Sequence, residues 1–221
     1  FWNDAIRQVW DETNDGLEKL PKNVDVLVQQ IDKAAQVFWS DPKRHKTGRL
    51  NLRKARYEIF NNGIGLDSQF DEDIRWAIAD KCGQLMFDKT TLYPDAISTL
   101  NKLRHNKVKL ALVTNGTSTA QRKKINKFDL ENHFDHIQIE GEAGIGKPEL
   151  EAYKKALTAL GVGASETWMV GDNLEWEVIA PQKLGIFSIW RDPHGDGTLP
   201  KNTTARPDMI ITKLSELLNG C

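Results

Sequence analysis

Apolar residues recur at three-to-four spacing through residues 1–91: Val24, Leu27, Val28, Ile31, Ala35 and Phe38, then Phe70, Ile74, Ala77, Ile78, Leu85 and Met86. That period is the stripe of amphipathic helices, and almost no strand pattern accompanies it. Pro21 and the Asp41-Pro42 and Asn62-Gly63 steps are expected to punctuate the segment into about four helices. From Pro94 the pattern changes. Short apolar runs at Val108–Val113, His136–Glu140, Thr167–Val170, Gly185–Ile189 and Asp208–Ile211 predict buried strands. Helical stretches near 95–106, 118–128, 149–160, 174–184 and 213–219 separate them. Such alternation predicts a doubly wound parallel sheet, so the fold class is α/β with an all-helical segment ahead of it and a boundary near Thr91–Pro94.

Charge narrows the function. The 221 residues carry 30 Lys+Arg against 31 Asp+Glu, a formal net charge of −1, which argues against a general nucleic-acid binder. No run approaches the ~20 apolar residues that span a bilayer, and residues 1–20 lack the basic-then-apolar pattern of a secretory leader, so a cytoplasmic protein without a membrane partner is expected. The two cysteines, Cys82 and Cys221, make neither a disulfide framework nor a C-x-x-C metal site. Residues 43–56 hold seven Lys/Arg and no acid; Arg49, Arg53 and Arg56 can share a helical face. They are read either as a patch that attracts an anionic substrate or as a solvated face. Trp10, Trp39, Trp76, Trp168 and Trp190 read as core; Trp2 and Trp176 lie where one could meet substrate.

In open α/β sheets, ligands bind beyond the carboxyl ends of the strands. One strand closes as Val113-Thr114-Asn115-Gly116-Thr117-Ser118, a hydroxyl followed by a turn and a helix start whose backbone N–H groups suit an oxyanion, or simply an ordinary capped turn. A glycine-rich connection, Gly141–Gly146, leads to Lys147-Pro148-Glu149, where Pro148 fits the first helical position and Glu149 suits the helix N-terminus. Lys147 has no such structural reason unless it faces an anion. Another strand delivers Asp172, with Glu177 five residues on, oxygen ligands of the kind Mg²⁺ accepts or, for Asp172, an N-cap.

In this order, V-T-N-G, G-K-P-E and V-G-D-N-L-E-W-E resemble motifs II, III and IV of the haloacid dehalogenase superfamily, a likeness that runs from Tyr93-Pro94-Asp95 to about Leu217. The resemblance implies a Rossmann-like α/β core at residues 92–221 and, at residues 1–91, the α-helical cap that one subfamily inserts between motifs I and II, with residues 1–10 leading in from the core. It implies that Thr114 and Lys147 hold the transferring phosphoryl group, that the Asn115 and Gly116 backbone N–H groups donate to its oxygens, and that Asp172 ligates Mg²⁺. Glu177, where relatives commonly carry Asp, assists the metal or orients Lys147. The family's nucleophile motif, D-x-D-x-T, is absent from these residues, and Phe1-Trp2-Asn3-Asp4 resembles the stretch that follows it; the nucleophile is expected upstream of Phe1. The implied activity is Mg²⁺-dependent hydrolysis of a small phosphorylated metabolite by a monomer or homodimer. A 2-haloacid dehalogenase and a non-catalytic phosphate-binding protein are the alternatives.

Overall fold

Among the described residues, three side-chain caps start helices in the first half of the chain. The Asp41 carboxylate accepts from Arg44 N at 2.7 Å, with Pro42 in the first turn; Asn51 accepts from Lys54 N at 3.2 Å, and Asp71 from Ile74 N at 2.9 Å. The computed structural model describes residues 1–13, 24–65, 70–192 and 195–219. It divides into two units, Phe1–Thr91 and Leu92–Cys221. The first contains α1 (Trp2–Thr13), α2 (Val24–Ser40), α3 (Pro42–Arg49), α4 (Leu52–Ile64) and α5 (Glu72–Asp88). Ile6, Ile31, Ile59, Phe60, Phe70 and Ile78 are fully buried between them. Trp10 and Phe60 meet Phe70 edge-on at 5.6 and 5.7 Å, and Trp2 stacks on Phe60.

Three expectations change here. Residues 1–10, read as a lead-in, form most of α1, whose Ala5, Ile6, Val9 and Trp10 join the helical core. Asn62-Gly63 does not end a helix: α4 runs through it to Ile64 and stops at Gly65, whose φ of 77° suits glycine. Met86 lies half outside the buried stripe. Pro21 and Cys221 lie outside the described residues.

Cys82, on α5, is 1% exposed, and burial pushes its thiol up to about 11. At pH 8 that leaves about a thousandth as the reactive thiolate. Native protein is therefore expected to leave Cys82 unmodified by a disulfide reagent such as DTNB and to modify it in guanidinium, with peptide mapping assigning the site. Rapid native labelling of Cys82 would show that this core opens.

In the second unit β1 (Ala111–Thr114) pairs in parallel with β2 (His136–Ile139), with Thr114 opposite Ile139. A second parallel sheet has the order β3 (Trp168–Gly171), β4 (Phe187–Arg191), β5 (Met209–Ile211), with Gly171 opposite Trp190. Between strands lie α6 (Ala96–His105, ahead of β1), α7 (Ser118–Lys127), α8 (Glu140–Ala143) and α9 (Leu150–Leu160). Except for β2, which begins at His136 as expected, the strands begin later than their apolar runs do. Leu110, for example, is tied to Asp135 by its N–H and to Asp135 and His136 by its carbonyl, ahead of the β1–β2 ladder. Gly141–Gly146, expected to be a flexible connection, contains the turn α8, closed by Gly144 at φ 71°. The stretch expected to be a helix over 174–184 opens as a π-turn, Glu175–Ile179. Ile189, Ile211, Val178 and Trp190 are buried within the sheet layers, whereas Trp168, expected in the core, is 37% exposed beside Phe187.

Candidate active site

Thr114 is the last residue of β1 and is half-buried. The chain then turns through Asn115 and Gly116, the latter at φ 114°, and Thr117 caps α7 by accepting from Ala120 N at 3.2 Å. Gly116 does not present its N–H as expected. It donates that group to Oε2 of Glu140 at 3.0 Å, and its carbonyl accepts from Gly141 N at 2.9 Å. Glu140 is 4% exposed and binds the turn after β1 to the end of β2. A carboxylate closing an apolar strand was the available signal for it, the same signal that marks Asp172.

Asn115 contributes through its side chain. Its Nδ2 donates to the Lys147 carbonyl at 2.7 Å, and its Oδ1 accepts from the Lys147 N–H at 2.9 Å. Gln121 Nε2 donates to the Asn115 carbonyl at 2.9 Å. Gly146 makes the approach possible, since a Cβ there would stand 2.7 Å from Asn115 Oδ1. Lys147 and Pro148, joined by a cis peptide bond, lie in a turn; α9 begins at Leu150, so Pro148 sits two residues ahead of the helix rather than at its first position.

From that turn, Lys147 Nζ donates to Glu177 Oε1 at 2.7 Å, with side-chain exposures of 11% and 4%. Glu177 Oε2 accepts from Asn173 N at 2.8 Å. Both oxygens of Glu177 are thus engaged, and of the two roles expected of it the contact made here is the one with Lys147. The longer side chain fits because Gly171 has none: a Cβ there would overlap Glu177 Cγ. Burial is the largest influence on the Glu177 carboxyl and pushes it above the ordinary range, against the pull of Lys147 and the Asn173 N–H. Tyr153 supports the turn by donating its hydroxyl to the Trp176 carbonyl at 2.5 Å.

Asp172 stands exposed just beyond β3, its backbone carbonyl accepting from Trp190 Nε1 at 2.8 Å. Among the described residues no three His, Cys, Asp or Glu side chains gather as a metal cluster. Mg²⁺ keeps several waters and takes one or two carboxylates beside substrate phosphate, so one solvent-facing carboxylate at a strand end fits as a partial ligand set.

Two of the three arginines make contacts within the helical unit. Arg53 makes a forked pair with Asp80, Nε–Oδ1 2.8 Å and Nη2–Oδ2 2.9 Å, and its guanidinium lies 4.5 Å from the Trp76 ring centre. Arg56 donates to the Ala79 carbonyl at 2.9 Å and lies over Gly83, where a Cβ would meet its guanidinium at 2.5 Å. Arg49 is 8% exposed on α3. Arg53 and Arg56 thus fasten α4 to α5.

The haloacid dehalogenase-like hydrolase model matches residues 3–185. The chain therefore belongs to that family of hydrolases, with a Rossmann-like α/β core and a helical cap. It is 38% identical to a phosphoserine phosphatase of Thermus thermophilus over 126 residues, which are 57% of this chain and 49% of that protein. It is 30% identical to a glyceraldehyde 3-phosphate phosphatase of Pyrococcus furiosus, over 57% of this chain and 52% of that one. A pyrimidine 5'-nucleotidase of Escherichia coli, YjjG, is 28% identical over 71% of this chain and 67% of its own. The chain spans about half the length of the first two. Among solved structures, the HAD-hydrolase YfnB of Bacillus subtilis superimposes with a TM-score of 0.71 at 20% identity, covering 99% of this chain and 90% of that one. A 2-haloacid dehalogenase of Pseudomonas syringae gives 0.59 at 22% identity, covering 99% and 88%. These two establish the fold. Among the described residues no helix is long and apolar enough to cross a membrane.

Proposed function

We propose that the protein is a Mg²⁺-dependent phosphatase of small phosphorylated metabolites that works through an aspartyl-phosphate. The observation that carries this reading is the convergence of three chain segments on Lys147: the end of β1 through Asn115, the 146–148 turn itself, and the turn after β3 through Glu177. A held cation, tied to the residue after a strand-end hydroxyl and, through Glu177, to the residue after an exposed carboxylate, suits a phosphoryl group better than a neutral substrate. In this reading Thr114 donates its hydroxyl to a phosphoryl oxygen and Lys147 neutralises developing charge there. Asp172 would hold Mg²⁺, which when bound shields the phosphoryl oxygens.

The reaction needs an attacking carboxylate and an acid. An Asp oxygen forms a bond to phosphorus as the ester oxygen leaves with a proton from a second Asp; that second group then takes a proton from water, which hydrolyses the acyl phosphate. We place both on a strand bearing D-x-D-x-T that precedes Phe1. Among the described residues β1 pairs only with β2 and β3 only with β4, so each has an edge available to such a strand. The phosphatase names of the relatives support the substrate class.

The test is hydrolysis of p-nitrophenyl phosphate by the full-length protein, with peptide mapping of its N-terminus. Turnover that EDTA abolishes and Mg²⁺ restores is expected. Metal-independent chloride release from 2-chloropropionate would replace this reading with a dehalogenase. Phosphate binding without turnover would replace it with a non-catalytic binding protein.

A further inference from the structure

The geometry points to Asn115 as a positioning residue for Lys147, acting through its side-chain amide; we propose that this amide sets where the Lys147 cation sits. Its kinetic consequence rests on the phosphatase reading; its geometry stands on the two hydrogen bonds themselves. A single planar amide exchanges two hydrogen bonds with one residue's main chain, giving a proton to the Lys147 carbonyl and taking one from its N–H. This is the exchange that a neighbouring β-strand would make, supplied here by a side chain. It is made to a turn, where no ladder fixes the backbone.

Lys147 is thereby held at both ends. Its main chain is tied to the end of β1, and its Nζ to Glu177 beyond β3. A lysine stem is a flexible four-carbon chain, so an ammonium pinned only at its tip would leave its backbone free to drift. Anchoring the main chain as well fixes the point from which the stem reaches. Only an amide offers a donor and an acceptor on one rigid plane, since an aspartate carboxylate accepts but cannot donate, and Gly146 leaves the amide room because a Cβ there would crowd its Oδ1. The orientation of the amide is also determined, because reversing it would set Nδ2 against the Lys147 N–H and Oδ1 against the carbonyl. Gln121, on α7, holds the Asn115 carbonyl and braces the turn from behind.

Two measurements on the full-length protein test this. The first is acetylation of lysines by an N-hydroxysuccinimide ester, followed by peptide mass spectrometry. Lys147 is expected to react slowly in the wild type, compared with exposed Lys33, and several-fold faster in Asn115→Ala. An unchanged Lys147 rate overturns the proposal whatever the activity. The second is a double-mutant cycle in kcat for p-nitrophenyl phosphate. Asn115→Ala alone is expected to cost about 10²-fold, the scale for a misplaced catalytic group. In a Lys147→Ala background it should cost almost nothing, because its effect passes through the lysine. Equal losses in both backgrounds would show that Asn115 acts independently and would overturn the proposal. Should Asn115→Ala fail to fold, Asn115→Asp keeps the shape and the acceptor, loses the donor, and carries the same two measurements. Wild-type protein that hydrolyses no phosphate ester refutes the proposed function, while the labelling result still decides the role of Asn115.

Discussion

Lys147→Ala is expected to lower kcat for p-nitrophenyl phosphate by roughly 10²–10³-fold, the loss that follows removal of one preorganised group facing developing charge. The effect has a second, separable part. Glu177 is 4% exposed on its side chain, and with Lys147 gone its carboxylate keeps, among the described residues, the Asn173 N–H alone. Breaking a buried pair in this way costs about 3–5 kcal/mol when the remaining charge stays ionised. Burial already pushes the Glu177 carboxyl up, and loss of the cation removes the chief opposing pull. A carboxyl whose folded pKa exceeds its unfolded one contributes stability that is present below the unfolded value and lost as pH rises through the folded value. The variant should therefore be least stable relative to wild type near pH 7 and recover toward pH 4–5, as read from thermal melts across that range. Adding Glu177→Gln should restore much of the stability at pH 7 and none of the activity. A Lys147→Ala enzyme with near-normal kcat would remove the lysine from the phosphoryl site, and a pH-independent stability loss would show that Glu177 is not its dry partner.

The five strands were legible as short apolar runs, and three of them lead into a residue with a chemical reason to be there: Thr114, Glu140, Asp172. Lys147 was legible for the opposite reason, since a cation ahead of a helix lacks a structural explanation. What could not be read were contacts across long separations. Asn115 and Lys147 are 32 residues apart, and nothing local distinguishes an asparagine that lends its backbone from one that spends its side chain on another loop. The contacts of the basic run were hidden for a similar reason. Arg53 finds Asp80, and Arg56 the Ala79 carbonyl, on a helix whose register against α4 is set by packing, so charge density gave no hint that two of the arginines are fasteners. At Glu177 the sequence offered a carboxylate one carbon longer than the motif's usual Asp; the empty side of Gly171 is what turns that length into reach toward Lys147.

Gly63→Val is expected to destabilise the helical unit by roughly 3 kcal/mol, at the upper end of the cost of overpacking, and Gly63→Ala by somewhat less. Local propensity predicts the reverse for alanine, which gains about 1 kcal/mol over glycine inside a helix. Distance decides between the two effects. A Cβ on Gly63 would stand 2.6 Å from Ile31 Cα and 2.9 Å from Ile31 N, atoms of the α2 backbone that cannot swing aside, as well as 2.7 Å from Ile31 Cγ1. Ile31 is fully buried, so α2 and α4 can make room only by separating and opening the core around Ile59 and Phe60. This also explains why Asn62-Gly63 looked like a break: the glycine is needed for a close helix crossing, a requirement that leaves the same mark in sequence as a turn. Gly83→Ala is the milder comparison, since the nearest atoms its Cβ would meet belong to the Arg56 guanidinium, a flexible side-chain end that can shift at the cost of its bond to the Ala79 carbonyl. Thermal melts should place Gly63→Ala well below wild type and Gly83→Ala between the two. If Gly63→Ala were instead the more stable protein, propensity would outweigh the contact, and α2 and α4 could not cross as closely as Ile31 and Gly63 place them.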